Sequence, residues 1–274
     1  GTIPSPPEGA KWAEPILVET RSQFRVDGAG YLPFSRHQVF LIPMDGGAVQ
    51  QLTQGQQDHN SAIEWLPDSS ALLLSINFKN NVNKPWDTDI VRLDLKTRQL
   101  TAFTTQSGPD SAPRISPDGE RIAWVGHQDK PSVYHEYQLY TAKLDGSDVR
   151  QLTSGNDFSV IDFAWHPDNQ RYYVQYEYRG KSVLALLSAN GSVSVLTDKL
   201  AGWELDQPYV LGQFSTSGGV AAITMGNTTK PTELGVVDRH GQVKTITDLN
   251  RSLHDSVGLA TVEEHTLKSS FDQR

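Results

Sequence analysis

Short apolar runs alternate with turn signals along most of this chain. Runs such as Arg121 to Val125, Tyr172 to Tyr178 and Val220 to Met225 are rich in β-branched, aromatic and apolar residues, and turn signals lie between them. No stretch keeps a 3.6-residue apolar period long enough to predict a long helix. The pattern therefore predicts an all-β protein.

The strand pattern recurs at a fixed spacing. Three Pro-Asp pairs have their prolines at positions 67, 117 and 167, a step of 50 residues each time. Hairpin signals of the Asp145-Gly146 kind follow, and a Leu-Thr or Ile-Thr pair closes each unit. Three series in one phase indicate an internal repeat. The closing pairs are Leu52-Thr53, Leu100-Thr101, Leu152-Thr153, Leu196-Thr197 and Ile246-Thr247.

A unit of four strands in about 45 to 50 residues is the blade of a β-propeller, in which stacked blades bury each other's faces. We therefore predict an all-β fold, a β-propeller of about four to five four-stranded blades that is part of a larger propeller. Whether the blades close into a ring is left open. The predicted blades occupy 1-250, as a partial first blade at 12-53 and further blades at about 60-103, 111-153, 160-197 and 202-247.

The residues after the last blade, 251-274, form a predicted C-terminal tail. Apolar and polar residues alternate from Leu259 to Leu267, which predicts a strand that covers one blade edge. A partial propeller leaves its end blades uncovered, and exposed edges favour association. Self-association into a homo-oligomer through the end blades is therefore expected, with a tightened smaller ring as the alternative.

The composition narrows the classes of partner. The formal net charge is -8 and the pI is near 5.4, which argues against binding to nucleic acid or to a membrane surface. Cysteine is absent, so disulfides, thiolate zinc sites and a cysteine nucleophile are excluded. The eight histidines lack metal-ligand spacing, and we predict no metal site and no cofactor. A cytoplasmic location is favoured, with the periplasm and secretion left open.

Two segments at either end of the repeats carry a family resemblance. The stretch Phe24 to Tyr31, followed by Val39 to Pro43, is similar to the Asp-Gly-x-Gly-Tyr segment of acylaminoacyl-peptidases and dipeptidyl-peptidase-like enzymes. The stretch Val262 to Ser270 resembles the linker by which those propellers continue into a hydrolase domain. With the Pro-Asp repeats, the chain resembles the later propeller blades of the prolyl oligopeptidase family of serine peptidases. TolB-type propellers share the repeats.

The resemblance implies a function without catalysis in this chain. A propeller of this family limits and orients the access of a peptide substrate to a C-terminal α/β-hydrolase domain, and that domain is missing here. The parent protein would be a serine peptidase of the acylaminoacyl or dipeptidyl type. The alternative is a TolB-like propeller that acts as a protein-protein interaction module.

Catalytic residues are not predicted in this chain. An α/β-hydrolase needs Gly-x-Ser-x-Gly at its nucleophile, and the nearest segment, Gly180-Lys181-Ser182-Val183-Leu184, lacks the final glycine and lies in a predicted hairpin. The chain alone is therefore expected to be inactive.

Long connections after the second strand of two blades predict a recognition surface. They run from Asn77 to Thr88 and from Gly126 to Glu136, and they carry Trp86 and Tyr134. Glu177 and Arg179 lie at the matching position of the next blade. We predict that these four residues contact the substrate or a partner. The alternatives are that Trp86 packs under its own loop and that Glu177 and Arg179 form surface ion pairs.

Overall fold

The computed structural model describes residues 7–11, 18–20, 23–32, 35–59, 61–132, 134–202, 211–227, 229–258 and 260–271. Within them the chain forms twenty β-strands and one helix of six residues, α1 (Arg251–Ser256), whose residues are not buried. None of the described residues belongs to a helix that is long and apolar enough to cross a membrane. The all-β prediction is confirmed.

The first unit is represented by two short antiparallel pairs, and the start of its predicted range, residues 12–17, lies outside the described residues. Strands β1 (Arg25–Val26) and β2 (Gly30–Tyr31) form one pair, and β3 (Phe40–Leu41) and β4 (Gln50–Gln51) form the other. We call the unit that ends with β4 blade 1.

Four antiparallel units of four strands follow, and in each unit consecutive strands are neighbours in the sheet. Blade 2 comprises β5 (Ile63–Trp65), β6 (Ala71–Ile76), β7 (Asp89–Asp94) and β8 (Leu100–Ala102), and blade 3 comprises β9 (Asp110–Ile115), β10 (Arg121–Gly126), β11 (Gln138–Lys143) and β12 (Arg150–Gln151). Blade 4 comprises β13 (Val160–Trp165), β14 (Arg171–Tyr178), β15 (Lys181–Ser188) and β16 (Val193–Leu200), and blade 5 comprises β17 (Phe214–Ser217), β18 (Val220–Asn227), β19 (Lys230–Val237) and β20 (Val243–Thr245).

Each hydrophobic cluster lies between two consecutive blades. Strand β14 shows how alternation produces this arrangement, because successive side chains of a strand point to opposite faces of the sheet. Tyr172, Val174 and Tyr176 pack with residues of blade 3, whereas Tyr173 packs with residues of blade 5. The other two clusters join blades 1 and 2 and blades 2 and 3 in the same way. Blades stacked face to face are the β-propeller fold, as predicted.

Blades 4 and 5 share one backbone bridge that the repeat does not predict. Leu200, at the end of β16, pairs with Met225 of β18. The pairing forms because β18 continues beyond the last residue that β17 pairs, where Phe214 faces Ile223, and so presents a free edge. The Thr224 hydroxyl also donates a hydrogen bond of 2.8 Å to the Ala201 carbonyl.

In four blades a threonine hydroxyl just after the last strand contacts the third strand, and we call this contact the threonine latch. The hydroxyl accepts a hydrogen bond of 2.8 to 3.0 Å from a backbone N–H in, or next to, the third strand. In blade 2 the latch residue is Thr104. The repeat predicted Thr101 at this position, but Thr101 is exposed on β8. The latches join Thr53 to Val39, Thr104 to Ile90, Thr153 to Leu139 and Thr247 to Leu234.

The C-terminal tail does not add the predicted strand. Residues 260–271 have no regular secondary structure, and Leu259 lies outside the described residues. The carboxylate of Glu264 lies 3.9 Å from the Lys181 ammonium group at the start of β15. Because that pair is exposed, it contributes little to stability, and it does not pair backbone groups at a blade edge.

Candidate functional site

The connections between the second and third strands of blades 2, 3 and 4 lie on one rim of the propeller, because antiparallel strands alternate in direction. They consist of residues 77–88, residues 127–137 and a two-residue turn at 179–180. We call these three connections the loop rim. All four residues predicted to contact a substrate or partner are in or next to it.

The first loop is held in place by one asparagine. The Asn77 side chain accepts a hydrogen bond from the Asn81 N–H at 3.0 Å and donates to the carbonyls of Asn81 and Lys84 at 2.9 and 3.0 Å. These bonds fix the middle of the loop, and Phe78 at its start packs on the apolar cluster between blades 1 and 2. Trp86 has 55 % of its surface exposed and does not pack under its own loop.

An ion pair joins the first two loops across the boundary between their blades. The Lys84 ammonium group donates a hydrogen bond to the Asp129 carboxylate. This contact lowers the pKa of Asp129 and raises the pKa of Lys84, because each charge stabilises the other. The two loops therefore form one continuous surface.

The second loop contains a stacked histidine pair beside a cavity. The rings of His127 and His135 lie 4.4 Å apart and 2° from parallel, and Tyr137 meets His127 edge-on at 4.9 Å. Burial lowers the pKa of His127, and the neighbouring His135 lowers it further. A cavity of about 420 Å³ opens here, lined among others by Lys130, Tyr134 and Asn156, and Tyr134 is 72 % exposed.

The third connection is a tight hairpin that leaves both of its predicted contact residues accessible. Arg179 has a φ of +49° at the turn, and its guanidinium carbon lies 5.2 Å from the centre of the Tyr178 ring. Glu177 is exposed at the end of β14. Neither residue has an ion-pair partner in the described part of the chain, contrary to the alternative of surface ion pairs.

The predicted contact residues are thus spread over three consecutive blades rather than gathered at one point. Their role stays a prediction. Over the same described ranges, no group of three or more His, Asp or Glu side chains has the geometry to hold a metal ion. Ser182, in the segment nearest to a nucleophile motif, lies buried in β15, and its hydroxyl accepts a hydrogen bond from the Gln175 amide at 3.1 Å.

Sequence reasoning missed a buried acidic residue beneath the rim. Asp110, at the start of β9, has none of its surface exposed, and one carboxylate oxygen accepts hydrogen bonds from Gln106 and Trp124 at 2.6 and 3.0 Å. The other oxygen has no partner among the described residues. Burial raises the pKa of Asp110 to about 6. A side chain at Gly126 would lie 2.3 Å from this carboxylate, which explains the glycine there.

A second buried aspartate lies close to the first. Asp89 is 1 % exposed, and burial raises its pKa, opposed by the Lys79 ammonium group 3.4 Å away. Its charge also contributes to the raised pKa of Asp110. The sequence signal was the acidic pair Asp87 and Asp89 where the apolar strand β7 begins, but alternation alone does not show that these acids are buried.

The comparisons with known proteins place this architecture in a class. No family model and no curated protein matches the sequence. Among solved structures, acylaminoacyl peptidase from Pyrococcus horikoshii is similar, with a TM-score of 0.64 and 19% identity over 90% of this chain and 36% of that one. At this identity the likeness shows the fold alone, and it confirms the predicted β-propeller.

Two further solved structures share the fold. TolB from Acinetobacter baumannii gives a TM-score of 0.53 with 22% identity over 76% of this chain and 47% of that one. A puromycin hydrolase gives a TM-score of 0.56 with 18% identity over 74% and 33% of the two chains. The predicted resemblance to peptidase and TolB propellers is therefore confirmed. This chain matches between a third and a half of each of these structures.

Proposed function

We propose that this chain is the non-catalytic propeller segment of a prolyl-oligopeptidase-like serine peptidase and that it limits and orients the access of peptides to a hydrolase domain outside the chain. The observation that carries the proposal is the loop rim, where Trp86 and Tyr134 are exposed on connections that hydrogen bonds and an ion pair hold in place. Exposed aromatic side chains on a rigid scaffold are typical of recognition surfaces.

The fold likeness supports a parent with a second domain. The match to acylaminoacyl peptidase covers 36% of that protein, so most of it has no counterpart in this chain. The remainder of a peptidase parent would hold the nucleophile, base and acid of the hydrolase. In such a parent the loop rim would contact the peptide, and the side chains of Glu177 and Arg179 would supply charges for its termini.

The chain alone should have no peptidase activity. The sequence has no Gly-x-Ser-x-Gly segment, and Ser182, in the segment nearest to that motif, is buried and hydrogen-bonded to Gln175. We expect no turnover of acyl-aminoacyl or dipeptidyl chromogenic substrates and no labelling by a fluorophosphonate probe. Stoichiometric labelling of any serine would contradict this expectation.

The access role can be tested in the full-length protein of the natural reading frame. A variant with Trp86→Ala and Tyr134→Ala should lower kcat/KM for a chromogenic peptide by about tenfold, the loss expected when roughly 1.4 kcal/mol of contact is removed. Hydrolysis of the small ester p-nitrophenyl acetate should be unchanged, because the ester needs no contact with the rim.

The control is Phe40→Ala, which removes an aromatic side chain that is equally exposed but lies outside the loop rim. It should leave both reactions unchanged. An equal loss for the peptide and the ester, or no loss for the double variant, would refute the access role. A reading frame without a hydrolase domain would refute the peptidase parent altogether.

A TolB-like interaction module is the second candidate. The observation in its favour is that the match covers a larger share of TolB, 47%, than of the peptidases. In this second function the exposed loop rim would bind a protein partner instead of a peptide substrate. A reading frame without the hydrolase, together with loss of a captured partner in the Trp86→Ala, Tyr134→Ala variant, would favour it.

A further inference from the structure

A cavity of about 400 Å³ opens on the rim opposite to the loop rim, between the strand turns of blades 4 and 5. Its walls come from both blades, and the residues that matter for its chemistry are Asp168, Arg171, Leu186, Leu196, Gly219 and Arg239. The proposed access function does not use this rim.

The corresponding junctions between the preceding blades are closed. A side chain at Gly119 would lie 2.9 Å from the Pro67 ring, so the turns of blades 2 and 3 are in contact. The turns of blades 3 and 4 are joined by a hydrogen bond of 3.1 Å from the Asp118 N–H to the Asn169 side chain. An open junction is therefore not a general property of the repeat.

The turn of blade 5 explains the opening. It consists of Gly218 and Gly219, with φ of +56° and +84°, where blades 3 and 4 have longer Pro-Asp turns. Glycine adopts these positive φ angles without steric cost. Because the short turn carries no side chain, it cannot contact the Pro-Asp turn of blade 4 at Asp168. The junction between these two turns therefore stays open.

The two acids at the cavity accept hydrogen bonds from neighbouring groups of their own turns. The Asp168 carboxylate accepts hydrogen bonds from the N–H groups of Gln170 and Arg171, both at 3.0 Å, and from the Arg171 guanidinium at 2.6 Å, so both of its oxygens are used. One oxygen of Asp238 accepts from the N–H groups of His240 and Gln242 at 2.8 and 2.9 Å. These bonds lower the pKa of both carboxyls.

The Arg239 side of the cavity has unused hydrogen-bond donors. Arg239 donates one hydrogen bond, to the Gly218 carbonyl at 2.8 Å, and has no ion-pair partner in the described ranges. A guanidinium group has five N–H donors, so most of those of Arg239 are free. The half-buried side chains of Leu186 and Leu196 give the cavity an apolar wall next to these donors.

We infer that this cavity binds a small molecule with a carboxylate or phosphate group, which Arg239 holds while the apolar part of the ligand rests against the half-buried Leu186 and Leu196. The planar fork of arginine matches the oxygens of either group in a two-bond contact. The volume suits a small ligand. Carboxylate and phosphate share this chemistry, and the experiment separates them.

The test uses the chain itself with two probes, inorganic phosphate and benzoate, and follows the thermal midpoint at constant ionic strength maintained with chloride. A ligand that binds only the folded state raises the midpoint in a saturable way. We expect one of the probes to do so and Arg239→Gln to weaken its apparent affinity at least tenfold. The probe that acts identifies the group.

Arg98→Gln is the matched control, because Arg98 is exposed, donates one hydrogen bond of 3.2 Å to the Gln50 side chain, lacks an ion pair in the described residues and lies outside the cavity. It should leave the saturable shift unchanged. The proposal is overturned if neither probe gives a saturable shift, if Arg239→Gln binds as the unmodified chain does, or if both variants lose binding equally. The unliganded midpoint of Arg239→Gln should match that of the unmodified chain, since the side chain is exposed.

Discussion

The unmodified chain should lose stability as the pH rises from 4 to 7, and Asp110→Asn should abolish this dependence on pH. The folded-state pKa of Asp110 is about 6, above the ordinary value of 3.8. Protonated Asp110 therefore favours folding, and this contribution is lost as the pH rises through 6. Each pKa unit corresponds to about 1.4 kcal/mol, so the difference in unfolding free energy between the two proteins should change by about 3 kcal/mol over this range.

Urea denaturation at pH 4 and pH 7 measures this change. Asp118→Asn is the control, because Asp118 is an exposed acid of the same blade whose pKa is lowered, first by the Ser116 hydroxyl and then by the Glu120 N–H. The contribution of Asp118 to stability is lost as the pH falls. The pH dependence of the difference in unfolding free energy should therefore have the opposite sign for Asp118→Asn and for Asp110→Asn. If the Asp110→Asn difference does not vary with pH, the carboxylate is not held in a desolvated site.

Trp165→Ala should destabilise the protein by about 3 to 5 kcal/mol, the range for truncating a large aromatic side chain in a core. Trp165 is 8 % exposed, its ring lies 4.4 Å from that of Tyr172, and its indole N–H donates to the Arg114 carbonyl of blade 3 at 2.9 Å. The substitution leaves a cavity between two blades and removes the indole hydrogen bond that joins them. The midpoint of urea denaturation should fall with an unchanged m-value.

The repeat supplies a control at the same register. Trp65 faces Leu72 in β6 as Trp165 faces Tyr172 in β14, but Trp65 is 46 % exposed. Trp65→Ala should cost about 1 kcal/mol or less, and Trp86→Ala on the loop rim should cost no more. Equal losses for Trp165 and either control would contradict the assignment of buried and exposed faces.

Local patterns were sufficient to predict the strands and their faces. Alternation separated Tyr172 and Val174 from Tyr173, and the structure places them in two different inter-blade clusters. The Pro-Asp turns and hairpin pairs marked strand ends because their backbone requirements are local. For the loop rim, loop length and aromatic residue types pointed to Trp86 and Tyr134, which are both exposed, while their contact with a substrate or partner stays a prediction.

Features that depend on distant contacts were not predictable. Leu100-Thr101 and Phe103-Thr104 fit the repeat about equally well, and only the hydrogen bond to the Ile90 N–H selects Thr104. The tail alternates as a strand does, yet no blade edge pairs with it, since alternation specifies a face but not a partner.

The burial of Asp110 also depends on distant contacts. Its environment is built by Gln106 and Trp124, and by the charge of Asp89 in the neighbouring blade. No local pattern brings these three groups together. The raised pKa of Asp110 is therefore a property of the assembled blades and has no counterpart in the sequence.

The threonine latches also suggest where this chain tolerates a cut. Each latch joins the residues after a blade's last strand to its third strand, for example Thr153 to Leu139, so the contact lies within a single blade. The connection that follows in this example, residues 154–159, lies outside the latch, and its Ser159 hydroxyl accepts one hydrogen bond of 2.9 Å from the Tyr137 N–H. A cut among residues 154–158 should therefore leave the strands of blade 3 in place. The same connections are natural boundaries for the gain or loss of whole blades during evolution.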